Sequence, residues 1–167
     1  IALNAPRGFR GVHPALLGVW FTLLLLLVPP PVVAQTPLVW YGNLNNQWDQ
    51  NVTANWLAGA APSVFTNGAA VLFSDAAVGS GSVTVIGTVQ PAGITVSNLS
   101  KPYLWTGPGV VDGSGTFTKF GVAPFTLANT TRLTTTGNFA VGAGTVAVFG
   151  APGQTNVVNG QLWVGHT

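Results

Sequence analysis

Residues Thr106–Phe149 read TGPGVVDGSGTFTKFGVAPFTLANTTRLTTTGNFAVGAGTVAVF. Short β-prone runs follow one another: Val110-Val111, Thr116-Phe117-Thr118, Phe125-Thr126-Leu127, Arg132-Leu133-Thr134, Phe139-Ala140-Val141 and Val146-Ala147-Val148-Phe149. They recur every seven to ten residues, with Gly113, Gly115, Gly121, Gly137, Gly142 and Gly144 between them. Regularly spaced β-branched and aromatic runs with turn residues predict a sandwich, a barrel or a β-solenoid. The glycines are expected at corners that need a positive φ. Phe117, Phe125, Leu127, Leu133, Phe139, Val141, Val146 and Val148 are expected to point inward, with the threonines between them outward.

The same texture extends in both directions. Ala69–Ser74, Val83–Ile86, Ile94–Ser97 and Tyr103–Trp105 read as strands upstream, and Gln161–Val164 as one downstream. Gly59–Pro62 reads as a loop. No helical apolar period occurs beyond residue 34. No closing turn follows Gln161–Val164, which predicts a repeat series that runs on past Thr167.

Composition fits stacked strands with a non-ionic surface. Charged residues make up 5% of the chain, against about 25% in an average soluble domain. Cysteine is absent, so no disulfide or thiolate metal site can form. The formal charge of +2 comes from Arg7 and Arg10 near the N-terminus. Beyond them Lys101, Lys119 and Arg132 balance Asp49, Asp75 and Asp112. Nucleic-acid binding requires basic residues gathered on one face, and three scattered cations do not predict it.

Residues 1–34 read as a secretory signal peptide. Arg7, Arg10 and His13 precede the apolar run Ala15–Val28, and Pro29-Pro30-Pro31 and Val32-Val33-Ala34 follow it. A basic start, an apolar core of about 7–15 residues and a small-residue box make this signal. Val32 and Ala34 fill the box, so cleavage is expected after Ala34. A membrane-spanning helix needs about 20 apolar residues, more than this run supplies before three prolines end it. Membrane contact is therefore expected only before cleavage.

Residues 35–75 are expected to form an N-terminal cap region, and 76–167 an incomplete series of solenoid repeats. In Pro37–Trp56, Trp40, Trp48 and Trp56 stand eight residues apart, with Asn43, Asn45, Asn46, Asn51 and Asn55 between them. Such rings can close one end of a β core, while asparagines build turns. The same rings could stack on sugars, which makes Trp40, Trp48 and Trp56 the candidate ligand-binding residues.

Several motifs carry a family resemblance. Trp40, Gly42 and Trp48 form W-x-G-x-x-x-x-x-W, followed by Asn55-Trp56, Pro62, Ala70–Asp75, Val83–Val85 and Gly93–Ser97. Gly113–Asn129 then reads GSGTFTKFGVAPFTLAN. This arrangement resembles the start of a bacterial autotransporter-associated β-strand repeat protein, whose repeat runs G-x-G-x-L-T-K-x-G-x-G. The family commonly has Gly where Ala123 stands and Thr where Pro124 stands. The resemblance covers most of residues 35–167 and implies a right-handed parallel β-helix, exported and displayed at the bacterial cell surface. The competing fold is an antiparallel β-sandwich.

No catalytic set emerges. Glycoside hydrolysis needs two carboxylates flanking one bond, whereas Glu is absent and the three Asp residues are far apart in sequence. Asp112 and Lys119 are expected to be solvated groups at coil corners. His13 and His166 fall on opposite sides of the expected cleavage site and make no metal site. Asn51-Val52-Thr53, Asn98-Leu99-Ser100 and Asn129-Thr130-Thr131 are expected to mark surface turns.

The leading expectation is thus a secreted, non-enzymatic structural or adhesive solenoid without a cofactor. Its expected partners are surface glycans, neighbouring cells and further repeats of its own chain. The alternatives are the start of a β-helix carbohydrate-active enzyme and a carbohydrate-binding module centred on the three tryptophans.

Overall fold

In this chain three short strands are needed before the backbone returns to its starting side. The computed structural model describes residues 36–128 and 131–165, and among them all regular structure is strand. The expected signal segment, Gln35, Asn129, Thr130 and His166-Thr167 lie outside the described residues.

Sheet A has the order β17 (Leu162–Val164), β14 (Phe139–Val141), β11 (Phe117–Phe120), β8 (Gly93–Ser97), β5 (Ala70–Ser74), β1 (Leu38–Trp40), β3 (Trp56–Ala58), β4 (Ala61–Ser63). Sheet B has the order β15 (Val146–Val148), β12 (Phe125–Leu127), β9 (Tyr103–Thr106), β6 (Ser82–Val85), β2 (Gln47–Trp48). Sheet C has the order β16 (Val157–Val158), β13 (Arg132–Thr135), β10 (Val110–Gly113), β7 (Thr88–Val89). From β5 to β14 each strand pairs with the strand three places on in the chain, and these pairs are parallel. The chain is therefore a parallel β-solenoid. An antiparallel sandwich would pair its strands head to tail throughout, whereas among the described residues antiparallel pairing occurs only at β1–β3–β4.

Register fixes the coil length. Val71, Ile94, Phe117, Phe139 and Leu162 share one column of sheet A, 22 or 23 residues apart. Neighbouring coils are separated by the strand spacing of about 4.8 Å. At the N-terminal end, β1 and β2 already pair in parallel with β5 and β6. The β3–β4 hairpin lies beyond β1, and the Gly59–Pro62 stretch, expected as a loop, forms its turn and edge strand. Pro62 suits that edge because it has no N–H to offer another strand.

The core is aromatic at one end and aliphatic at the other. Trp40, Trp48, Trp56, Phe65, Phe73 and Trp105 fill the first coils, and Phe117, Phe125, Leu127, Leu133 and Phe139 continue the stack. Phe117 and Phe139 stack face to face at 4.4 Å. Phe125 packs edge-on to Trp105 at 4.9 Å and against Phe117 at 5.3 Å. The expected inward set holds except near the last coil, where Val146 is half-buried and Val148 is 44% exposed. Their strand, β15, has a parallel neighbour on one side only.

Phe125→Ala tests this packing. The vacated space is walled by two rings and backbone, so collapse into it is limited. The variant is expected to lose about 3–5 kcal/mol in chemical unfolding. A loss below about 1 kcal/mol would contradict the enclosed position of Phe125.

The corner glycines fall into two groups, one with the expected positive φ and one with a different cause. Gly121 and Gly144 do have positive φ, 80° and 78°. Gly115 and Gly137 do not. They sit where a Cβ would collide with the backbone of the coil below, on Ala92 and on the Gly115-Thr116 peptide respectively.

Candidate functional site

The three candidate tryptophans lie in the core. Trp40, Trp48 and Trp56 are fully enclosed, as one edge-to-face cluster: Trp40–Trp56 at 5.0 Å and Trp48–Trp56 at 5.4 Å. Trp48 also meets Phe65, Phe73 and Trp105. Enclosed rings offer no face to a sugar, so the stacking role expected for them does not fit this arrangement. The buried Trp40, Trp48, Trp56 and Trp105 indole Nε1 atoms have no hydrogen-bond partner. That costs about 1–3 kcal/mol for each, against the burial of a ring of about 150–250 Å².

The surrounding asparagines and Asp49 build turns. Asn55 donates from Nδ2 to Asn45 Oδ1 (2.6 Å) and the Gln47 carbonyl (2.9 Å). Its Oδ1 accepts from the Leu44 N–H at 3.1 Å. Asn51 takes a left-handed φ of 61°, which asparagine tolerates better than most residues. Asp49 accepts from the Thr53 N–H (2.8 Å) and hydroxyl (2.6 Å). Asn98, expected at a surface turn, is buried, and its Nδ2 donates to the Lys101 carbonyl at 2.6 Å.

Asp75 accepts from the Leu99, Ser100 and Lys101 N–H groups at 2.7, 3.0 and 2.7 Å. These bonds tie one coil corner to the next and hold the Asp75 carboxyl at about 2, led by the bond from Leu99. Its stabilisation is present above the ordinary carboxylate pKa and is lost as pH falls through about 2. Asp112 lies on the outer side of sheet C, in register with Thr134. Among the described residues no three His, Cys, Asp or Glu side chains gather as a metal site.

Lys119 departs most from expectation. It is not a solvated group at a coil corner. It occupies an inward column of sheet A with Phe73, Val96 and Val141 and is fully buried. Its Nζ donates to the carbonyls of Phe120 (3.0 Å), Gly121 (2.6 Å) and Ala143 (3.4 Å). Three donors thus meet three carbonyls, two from its own corner and one from the coil above. Desolvation lowers its pKa from the usual lysine value, and the Asp75 charge opposes this.

The sign of that shift sets a pH dependence. Between the lowered pKa and the ordinary value near 10.5, the unfolded chain binds more protons than the folded one, so stability rises with pH. Tyr103 acts oppositely. Burial raises its pKa above the usual 10, so its contribution is lost above that pH. Thermal melts of the wild type are expected to shift upward as pH rises toward the ordinary lysine value, and Lys119→Met to flatten that slope. A wild-type midpoint that is flat over this range would contradict a desolvated ammonium.

One accessible site was not anticipated. On the outer side of sheet A, Thr118, Ala140 and Trp163 share a column, with Gly142 beyond Ala140. Phe120 (50% exposed) and Trp163 (43% exposed) flank this floor, and the cleft encloses about 150 Å³. Trp163 Nε1 donates to Gln161 Oε1 at 2.9 Å, which restrains the ring. Phe120 read as part of the repeat and Trp163 as part of a strand. Their meeting depends on two coils of register and had no local signal.

Compared with protein-family models, curated proteins and solved structures, the chain matches none.

Proposed function

We propose that this chain is a secreted or cell-surface structural and adhesive β-solenoid, similar to bacterial autotransporter-associated repeat proteins, with no catalytic activity in residues 35–167. One observation carries the reading: the outward strand positions of sheets A and B bear no ionic side chain. Ala70, Leu72, Ser74, Thr95, Ser97, Thr118, Phe120, Ala140 and Trp163 face outward from sheet A, and Ser82, Thr84, Leu104, Thr106 and Thr126 from sheet B. Thr84 and Thr106 are in register, as are Thr95 and Thr118. Such surfaces make contact through hydroxyls and apolar area rather than charge. The signal-like N-terminal segment supports export.

The test is expression of the whole chain behind an added initiator Met in a Gram-negative host. The exported protein is expected to begin at Gln35, to be cleaved by protease added outside the cells, and to promote cell attachment. Intracellular protein with Ile1 intact would overturn the reading.

A further inference from the structure

We infer that the cleft between Phe120 and Trp163 on the outer side of sheet A binds a neutral glycan, with one sugar ring stacked between the two aromatics. This deepens the adhesive reading and rests on it for the source of the ligand. The two rings project from coils two apart, so roughly 10 Å of strand spacing separates their backbones. The coil between them contributes Ala140 and Gly142, which leave the floor open. A volume of about 150 Å³ equals about five waters at roughly 30 Å³ each. That suits one ring with its substituents directed outward.

The chemistry of the face selects the ligand class. No cation lies among the outward residues of sheet A to attract phosphate, sulfate or uronate, and no anion to attract an amine. β11 and β14, which carry Phe120 and the floor, are bonded on both sides and offer a peptide strand no backbone to pair with; the one open edge beside the cleft is that of β17. Aromatic faces favour the apolar C–H face of a sugar ring. Thr118 supplies a hydroxyl at the floor, and Thr95 and Leu72 continue its column along the coils below.

The experiment titrates the whole chain, with its N-terminal segment processed or intact, against mannan, laminarin and hydroxyethylcellulose. Polygalacturonate and heparin serve as anionic controls. Trp163 reports as the part of the emission change that is lost in Trp163→Ala, because Trp40, Trp48, Trp56 and Trp105 are buried and Trp20 lies in the N-terminal segment. At least one neutral polysaccharide is expected to bind and to change the Trp163 emission. Phe120→Ala and Trp163→Ala should each weaken binding about tenfold or more. Binding should be unchanged in about 1 M salt, that is, at a Debye length of about 3 Å. Both side chains point outward, so matched melting midpoints would confirm that the variants fold.

Binding to the anionic controls alone overturns the inference, as does neutral binding that survives both substitutions, or none at all. A dimer that dissociates in Trp163→Ala with no glycan bound would assign the cleft to a second copy and also overturn it. Export and cell attachment without glycan binding would sink the cleft and leave the adhesive reading standing. Glycan binding without export would do the reverse.

Discussion

Gly137→Ala is expected to abolish cooperative folding, whereas Gly93→Ala is expected to fold normally. The two glycines differ by one position in coil register and need almost opposite surroundings. Gly137 stands in a column with Ala92, Gly115 and Gly160, one residue per coil at the corner entering sheet A. A Cβ on Gly137 would fall on the Gly115-Thr116 peptide, and one on Gly160 would fall on the Gly137-Asn138 peptide. Both obstacles are backbone, so no rotamer change relieves them. Coil spacing cannot widen at one corner without breaking the parallel hydrogen bonds of β11, β14 and β17. The penalty is therefore expected to exceed the 1–3 kcal/mol or so of ordinary overpacking. At Gly93 a Cβ would meet only the Thr116 carbonyl oxygen, at 3.7 Å, an ordinary contact, and its φ is not in the left-handed region. Alanine there reduces unfolded-state freedom and should be neutral or stabilising by about 0.4–1 kcal/mol. Far-UV circular dichroism and urea melts decide it. A Gly137→Ala midpoint equal to that of the wild type would refute the close-approach account of this column.

This contrast also marks how far the sequence could be read. Period-two alternation placed Phe117, Phe125, Leu127, Leu133 and Phe139 inside and Thr116, Thr118, Thr126 and Thr134 outside, because each decision needs only the residues on either side; Thr131 and Thr135, also expected outside, are buried, with their hydroxyls donating to the Gly107 and Gly115 carbonyls. The reason for Gly115 and Gly137 was out of reach, because their obstacles belong to a coil about 22 residues earlier. Lys119 differs from expectation for another reason. Alternation from Phe117 puts it on the inward face, and only its charge argued for solvent. The carbonyls that accept its protons come from corners whose meeting is set by coil register. The even spacing of Trp40, Trp48 and Trp56 did signal a cluster. Whether the rings faced in or out depended on Phe65, Phe73 and Trp105 packing around them. The Phe120–Trp163 cleft joins residues 43 positions apart and has no signature short of the full register.

Residues 35–167 in isolation are expected to self-associate through the coil that ends in β17. The inward columns of sheet A finish at Leu162 and Val164, which are 67% and 71% exposed. In sheet B, Val148 is exposed for the same geometric reason. β15, β16 and β17 each have a strand neighbour on one side only, so their other side offers unpaired N–H and C=O groups above an apolar surface. Bare edges of this kind template pairing with another chain. The opposite end of the stack is a poor mate, since the β3–β4 hairpin with Pro62 covers sheet A there. Association should therefore be end to end between equivalent coils, which closes at a dimer about a two-fold axis rather than growing into a fibre. Light scattering from micromolar to tenfold higher concentration should show a dimer. Leu162→Lys with Val164→Lys should give a monomer with the wild-type strand content, because a charge buried at that junction is uncompensated. Trp163→Ala, whose side chain projects outward, should leave this dimer intact. A wild-type monomer at every concentration, with slow amide exchange at Leu162–Val164, would show that the edge is protected within one chain and would sink the prediction.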